Sequence, residues 1–291
     1  MNKHKEYIAA FIFLAPWLCG LFAFTLWPFL ESFIMSFQKT NLFSKQFIGL
    51  RNYHELFFND SRFIKSVFVT VKYVLISVPL KLSFALFVAM LLKGDIKGMH
   101  AYRTVIYIPS LIGATVAVAA MWTQLFGTDG LINSLLALIG IPGRGWIAHP
   151  STALGVLIVL AVWQFGSSMV IFLAGLKNIP NNLYEACRVD GGSRFDNFIH
   201  ITIPMLSPII LFNFVLQTIG SFQIFTQAYL ITRGGPMDET LFMVLYIYNK
   251  AFMSSRMGFA SAMSWMLLVL IVATTGIIFF SAKHWVYYAS K

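Results

Sequence analysis

Between Leu183 and Pro208 the chain reads LYEACRVDGGSRFDNFIHITIPMLSP, a polar, charge-bearing interruption between long apolar runs. Such a stretch could be a plain solvated loop, but its residues would build two capped helices, which a loop does not need. Glu185, Arg188 and Asp190 put charge on a short helix that also presents the small side chains of Ala186 and Cys187. Asn181 or Asn182 is placed to cap that helix, expected from Leu183 to about Val189. Asp190, Gly191 and Gly192 then supply a reversal that needs little steric room. Ser193 with Asp196 gives the S-x-x-D start of a second helix, which continues through Ile203, Pro204 and Pro208. The expected form is helix, tight turn and helix, standing outside the apolar runs.

A second set of chemistry-bearing residues lies inside the runs themselves, where a charged side chain costs about 2.5 to 3.5 kcal/mol on insertion scales. Glu31, Lys72 and Lys81 are the ones that qualify. Glu31 and Lys72 each lie near a run's end at similar depth, so an ion pair or snorkelling accounts for both. Lys81 is deeper and follows Pro79 by two residues. It can bond a carbonyl freed by the proline, or face a polar path suited to an acidic or heavily hydroxylated solute. Asn213, Gln217, Gly220 and Gln227 recur at helical spacing in one stripe, with Gln223 at its edge. That stripe either bonds neighbouring helices or lines a solute path. Trp163, Gln164, Ser167 and Ser168 place an aromatic beside amides and hydroxyls, chemistry that can stack on and hydrogen-bond a sugar ring.

The elements that must carry these residues follow from composition. With 58% hydrophobic and 11% charged residues and a mean hydropathy of +0.75, 291 residues leave too little polar surface for a soluble globule. The chain reads as an all-α integral membrane protein. Six spans of about 20 or more apolar residues are expected. They run from Tyr7 to Phe37, Ser66 to Leu92, Ala101 to Phe126, Thr152 to Leu176, Ile201 to Tyr229 and Ala262 to Ala282. Gln38 to Lys65 reads as a polar loop outside the bilayer. The first run is too long for a signal-peptide core and has no small-residue cleavage site, so an uncleaved span is expected.

The net charge of +10 is spread singly at the ends of apolar runs, which marks membrane-flanking anchors and not a nucleic-acid surface. Lys and Arg are denser on the side holding both termini, with Lys93, Lys97, Arg103, Lys177, Arg188 and Arg194, which predicts cytoplasmic termini and a cytoplasmic residue 183–208 stretch. Trp27, Trp122, Trp146, Trp285, Tyr287 and Tyr288 sit near expected span ends as interfacial anchors. Cys19 and Cys187 give neither a disulfide framework nor zinc spacing. The six histidines are dispersed, no paired carboxylates or G-x-S-x-G occurs, and there is no Gly-Lys dipeptide, hence no phosphate-cradling loop. No metal ligand set and no catalytic residue is expected. An ion-coupled carrier would place carboxylates or histidines along the membrane interior, and here only Glu31 lies within a span.

Residues 183–208 resemble the EAA signature of binding-protein-dependent ABC importer permeases. In that pattern Glu-Ala-Ala, a glycine four residues on, and Ile-x-Leu-Pro are expected. Glu185, Ala186, Cys187, Gly191, Ile201, Ile203 and Pro204 fill those places in register, with Cys187, Gly192 and Ile203 as departures that keep size or flexibility. Arg103, Thr104, Tyr107 and Pro109 are similar to the family's R-T-x-x-Y-x-P span start. Gly234, Gly235 and Pro236, then Gly258 to Ala262, are similar to its G-G-P loop and the start of its last span. The resemblance covers nearly the whole chain and is closest to the sugar-type members.

It implies a type I importer (MetI-like) permease core over residues 66–282 with the coupling loop at 177–204. Residues 1–65 form an added first span with its loop, and residues 283–291 a cytoplasmic tail. It implies a bacterial or archaeal inner-membrane location, a second permease chain, two ATPase subunits and an extracytoplasmic solute-binding protein. ATP and Mg would sit on the partner subunits and no cofactor on this chain. It further implies that the helix carrying Glu185, Ala186, Cys187 and Arg188, with Asp190 and Gly191 at its turn, docks in an ATPase cleft. The remaining alternative is an ion-coupled carrier or passive channel working without an ATPase.

Overall fold

The computed structural model describes residues 3–41, 44–94, 97–113 and 115–287 of the chain. Tyr288, one of the expected anchors, lies outside the described residues, as does the tail beyond it. The chain divides into two compact units, Met1–Ser61 with Ile247–Leu267, and Arg62–Tyr246 with Leu268–Lys291.

The first unit begins with α1 (Lys3–Leu21), a π turn (Phe22–Leu26) and α2 (Trp27–Ser36). This run crosses no packed core: Phe13, Phe24 and Trp27 are largely exposed, as side chains in contact with lipid would be. Residues 38–65 depart from the expected polar loop, and the fold from a purely helical one. Gln38–Asn41 (β1) pairs antiparallel with Ser44–Phe47 (β2), and α3 (Arg51–Phe58) follows. The hairpin is held by side chains that satisfy backbone groups. Asn52 Nδ2 donates to Ser36 O (2.7 Å) and Gln38 O (3.0 Å), and the Tyr53 hydroxyl donates to Ser36 Oγ at 2.8 Å. Glu31, expected near Lys72, is instead 3.3 Å from Lys45 on β2. Trp265 closes the unit against Phe29 and Phe33, each with a ring separation of 4.7 Å.

In the second unit α4 (Ser61–Leu91) is an unbroken span of 31 residues. The expected third and fourth spans are both broken helices. Met99–Leu111 (α5) and Val116–Leu125 (α6) meet at 93°, and Ala153–Trp163 (α8) and Gly166–Lys177 (α9) at 42°, with α7 (Leu131–Leu138) between the pairs. Thr115 restarts α6 by accepting from the Val118 N–H at 3.4 Å, and the two breaks touch each other. Gln164 Nε2 donates to the Gly113 carbonyl at 2.6 Å, and a Cβ on Gly166 would lie 2.6 Å from Ser110 Oγ. A glycine at each break thus lets backbone and side chain approach where a single straight helix would not.

The next span starts earlier and ends sooner than its hydropathy predicts. Helix α10 (Asn181–Val189) leads to α11 (Arg194–Asp196), a π turn (Asn197–Thr202) and α12 (Ile203–Phe222), with α11 to α12 forming one 29-residue rod. It stops at Phe222, short of the expected Tyr229. Pro208 cannot donate to the Pro204 carbonyl, and Ser207 Oγ donates there instead at 2.6 Å. At Gly175 α9 lies so close to Leu206 and Ile209 of α12 that no side chain fits between. After a further π turn (Ala228–Thr232), α13 (Met243–Tyr248) precedes α14 (Met257–Trp285), which belongs to this unit from Leu268 onward. The buried centre of this unit includes Ala85, Leu157, Phe172, Leu206, Phe222 and Phe242. Among the described residues four helices are long and apolar enough to cross a membrane, or up to six spans when each bent pair counts as one.

Candidate functional site

Two polar regions of the second unit carry the residues singled out by sequence. The first is a cavity of about 320 Å³ lined from α4, α8, α12 and the chain just past α12. Lys81 reaches it from α4, Gln164 from the break after α8, and Gln217 with Ser221 from α12. Gln223 and Gln227 enter from the segment beyond Phe222, where the rod has ended. Five of the expected pathway residues, Lys81, Gln164, Gln217, Gln223 and Gln227, are therefore brought together. Lys81 makes no hydrogen bond to a proline-freed carbonyl among the described residues; it faces the cavity.

Trp163 and Asn213 are not part of the lining. Trp163 packs on Trp122 with ring centroids 5.2 Å apart. Asn213 is fully buried and donates to the Ile209 carbonyl of its own helix at 3.3 Å. Two aromatics line the cavity in place of Trp163: Tyr73 from α4 and Phe225, the latter stacked on Tyr229 at 5.4 Å and 17°. The signal for Phe225 in the sequence was its place between Gln223 and Gln227, and it is hidden when residues 201–229 are read as one helix. Ser168 is buried with its hydroxyl unpartnered, apart from the lining.

The second region is the stretch at 181–202. Its first helix takes Asn181 and Asn182 into its own first turn, so they do not cap it; Pro180, extended at ψ 133°, precedes it with no side-chain cap. The reversal is as the sequence predicts. Gly191 adopts φ +79°, the Gly192 N–H donates to the Cys187 carbonyl at 2.8 Å, and a Cβ on Gly192 would collide with the Cys187 side chain. The capping box then forms: Ser193 Oγ accepts from the Asp196 N–H at 3.2 Å while the Asp196 carboxylate accepts from the Ser193 N–H at 2.8 Å. The Tyr184 hydroxyl lies 3.1 Å from Thr202 Oγ1, and Lys93 sits 4.4 Å over the Tyr184 ring. The backbone of this element is thus satisfied from within.

Its outward side chains are not. Glu185, Ala186, Arg188 and Asp190 are exposed, Val189 is 88% exposed and Phe195 67%. Among the described residues Glu185, Arg188 and Asp190 make no side-chain hydrogen bond or ion pair. The described residues contain no cluster of histidine, cysteine and carboxylate that could hold a metal.

Comparison with known proteins places this arrangement. Residues 57–286 match the model of the family described as binding-protein-dependent transport system inner membrane component. The probable ABC transporter permease protein YesP of Bacillus subtilis is 48% identical over 99% of this chain and 94% of its own. The lactose transport system permease protein LacF of Rhizobium radiobacter is 31% identical over 95% of each. A solved structure of a bacterial alginate ABC transporter, in complex with alginate pentasaccharide-bound periplasmic protein, superposes with a TM-score of 0.84 over 96% of this chain and 95% of the matched chain, at 20% identity. That likeness fixes the fold. A helical chain with up to six spans and a match over most of its length belongs to the binding-protein-dependent transport system inner membrane components, as an ABC importer permease and not an enzyme.

Proposed function

We propose that the chain is one of two permease subunits through which an ATP-driven importer moves a sugar or oligosaccharide. Two ATPase subunits, which bind ATP and Mg, take the helix at 181–189 into a cleft, and an extracytoplasmic binding protein delivers the solute to the other face. Both termini then lie in the cytoplasm of a bacterial or archaeal cell. The sugar class is supported by relatives that carry lactose, and the binding protein by the alginate importer seen with one.

The observation that carries this reading is the single rod from Arg194 to Phe222. At 1.5 Å per residue its 29 residues span about 43 Å, from the capping box beside the exposed helix to Gln217 and Ser221 in the cavity. A packed helix moves as a rigid body and does not bend continuously, so a push on α10 is delivered to the cavity. Glu185, Arg188, Val189 and Phe195 offer the unsatisfied charge and apolar surface that a partner would cover.

The test is uptake in proteoliposomes. The chain with its partner permease, ATPases and saccharide-loaded binding protein is expected to accumulate saccharide only with ATP. Saccharide flux through the chain alone, undiminished without ATPases, would establish the carrier or channel alternative instead.

A further inference from the structure

The charge in the cavity speaks to the kind of saccharide, and the inference rests on reading the cavity as the solute path. Lys81 is the one formally charged side chain in the lining, which contains no aspartate or glutamate. It lies ten residues before Leu91, about 15 Å along α4 and so near the middle of a hydrocarbon layer of about 30 Å. Two cations nearer the start of α4 have carboxylates beside them: Arg62 is 2.7 Å from Asp238 and Lys65 is 3.0 Å from Glu239. Lys81, at the depth where an unmatched charge is least tolerated, makes no hydrogen bond or ion pair among the described residues.

We propose that the cavity takes an acidic saccharide, a sugar bearing a uronic carboxylate, with the Lys81 ammonium as its counter-ion. The remaining lining fits the rest of such a molecule. Gln164, Gln217, Gln223 and Gln227 each bring an amide donor and a carbonyl acceptor for ring hydroxyls, and Phe225 offers an apolar face for the ring. A single lysine ammonium is a point charge suited to one carboxylate. A sugar phosphate, carrying nearly two charges and three acceptor oxygens, calls for an arginine fork or several cations, which the lining lacks.

The experiment uses the assembled complex in proteoliposomes and three probes: uronic oligosaccharides of two to four sugars, the same compounds with their carboxylates methyl-esterified, and a sugar phosphate. Because one binding protein serves all variants, the ratio of wild-type to Lys81→Gln uptake for each probe isolates the cavity. Lys81→Gln is expected to cut uptake of the uronic probe by about tenfold or more, while Lys81→Arg stays within about threefold of wild type. Uptake of the esterified probe is expected to be unchanged or raised by Lys81→Gln.

Equal uronic uptake by Lys81→Gln and wild type overturns the proposal, as does ATP-dependent uptake of the neutral or phosphate probe with none of the uronic one. So does a loss of assembled complex with uptake per complex unchanged, which would make Lys81 a counter-ion for the neighbouring permease. Each of those results leaves the importer reading standing. Saccharide flux without ATPases would remove that reading and this one together.

Discussion

The exposed element at 181–202 and the cavity lined by Lys81 are both polar in an apolar chain, yet they hold polarity in opposite ways. The first satisfies its own backbone within some twenty residues, through the Gly191 turn and the Ser193–Asp196 box, and leaves its side-chain charges in solvent. The second gathers amides from segments far apart in sequence and encloses a single charge. An element that is rigid and outwardly unsatisfied leaves charge and apolar surface open to a partner. A cavity whose donors and acceptors come from separate helices changes shape when any one of those helices moves. The rod from Arg194 to Phe222 joins the two.

Breaking the element at 181–202 is expected to have the largest effect. Gly192→Val forces a branched side chain onto Cys187, an overpacking of about 1 to 3 kcal/mol confined to the turn. ATP-dependent uptake should be lost while the protein still accumulates in the membrane, as checked by transport against immunoblot. Gly191→Ala, strained at φ +79°, should act in the same direction by about 1 kcal/mol.

On the cavity side Gln164→Leu removes both a lining amide and the bond to the Gly113 carbonyl, a loss of about 1 kcal/mol or more because that carbonyl is left without its donor. Uptake is expected to fall with basal ATP hydrolysis unchanged, measured side by side in proteoliposomes. Along the rod itself, Ser207→Ala leaves the Pro204 carbonyl and the Tyr287 N–H without the hydroxyl that serves both, and a cost of about 1 to 2 kcal/mol should appear as a lower midpoint of thermal unfolding in detergent.

The smallest effect lies outside both regions. Arg256 hydrogen-bonds Glu55 in a two-pronged pair at 2.8 and 2.7 Å and holds its carboxyl below the ordinary value of 4.5, against a raising contribution from burial. A depressed carboxyl stabilises the fold above its unfolded value and loses that contribution as pH falls through the folded value. Stability of the wild type is therefore expected to drop below about pH 4.5 more than that of Glu55→Gln, measured as unfolding midpoint against pH.

The same comparison explains what was legible in sequence. The element at 181–202 is written in local signals: a double glycine and an S-x-x-D pair fix turn and cap from neighbouring residues alone. Where the expectation failed there, at Asn181 and Asn182, the extended Pro180 moved the helix start by two residues. The cavity is written in non-local contacts. Lys81, Gln164 and the glutamines are conspicuous as polar groups in apolar runs, but the stripe that grouped Asn213 with Gln227 assumes an unbroken helix, and the rod ends at Phe222. Trp163 was drawn away by Trp122, more than thirty residues off, which no periodicity reveals. The β1–β2 hairpin lacks the Asn-Gly type of turn that marks two-residue connections, so its strands read as loop.

The central claim is that force enters at Glu185 and leaves at the cavity, and one measurement bears on it directly. In the reconstituted complex, Glu185→Ala is read for uptake and for ATP hydrolysis stimulated by the loaded binding protein. The two are expected to separate, with uptake reduced about tenfold or more while the complex stays assembled and continues to hydrolyse ATP. Normal, ATP-dependent uptake by Glu185→Ala would contradict the account.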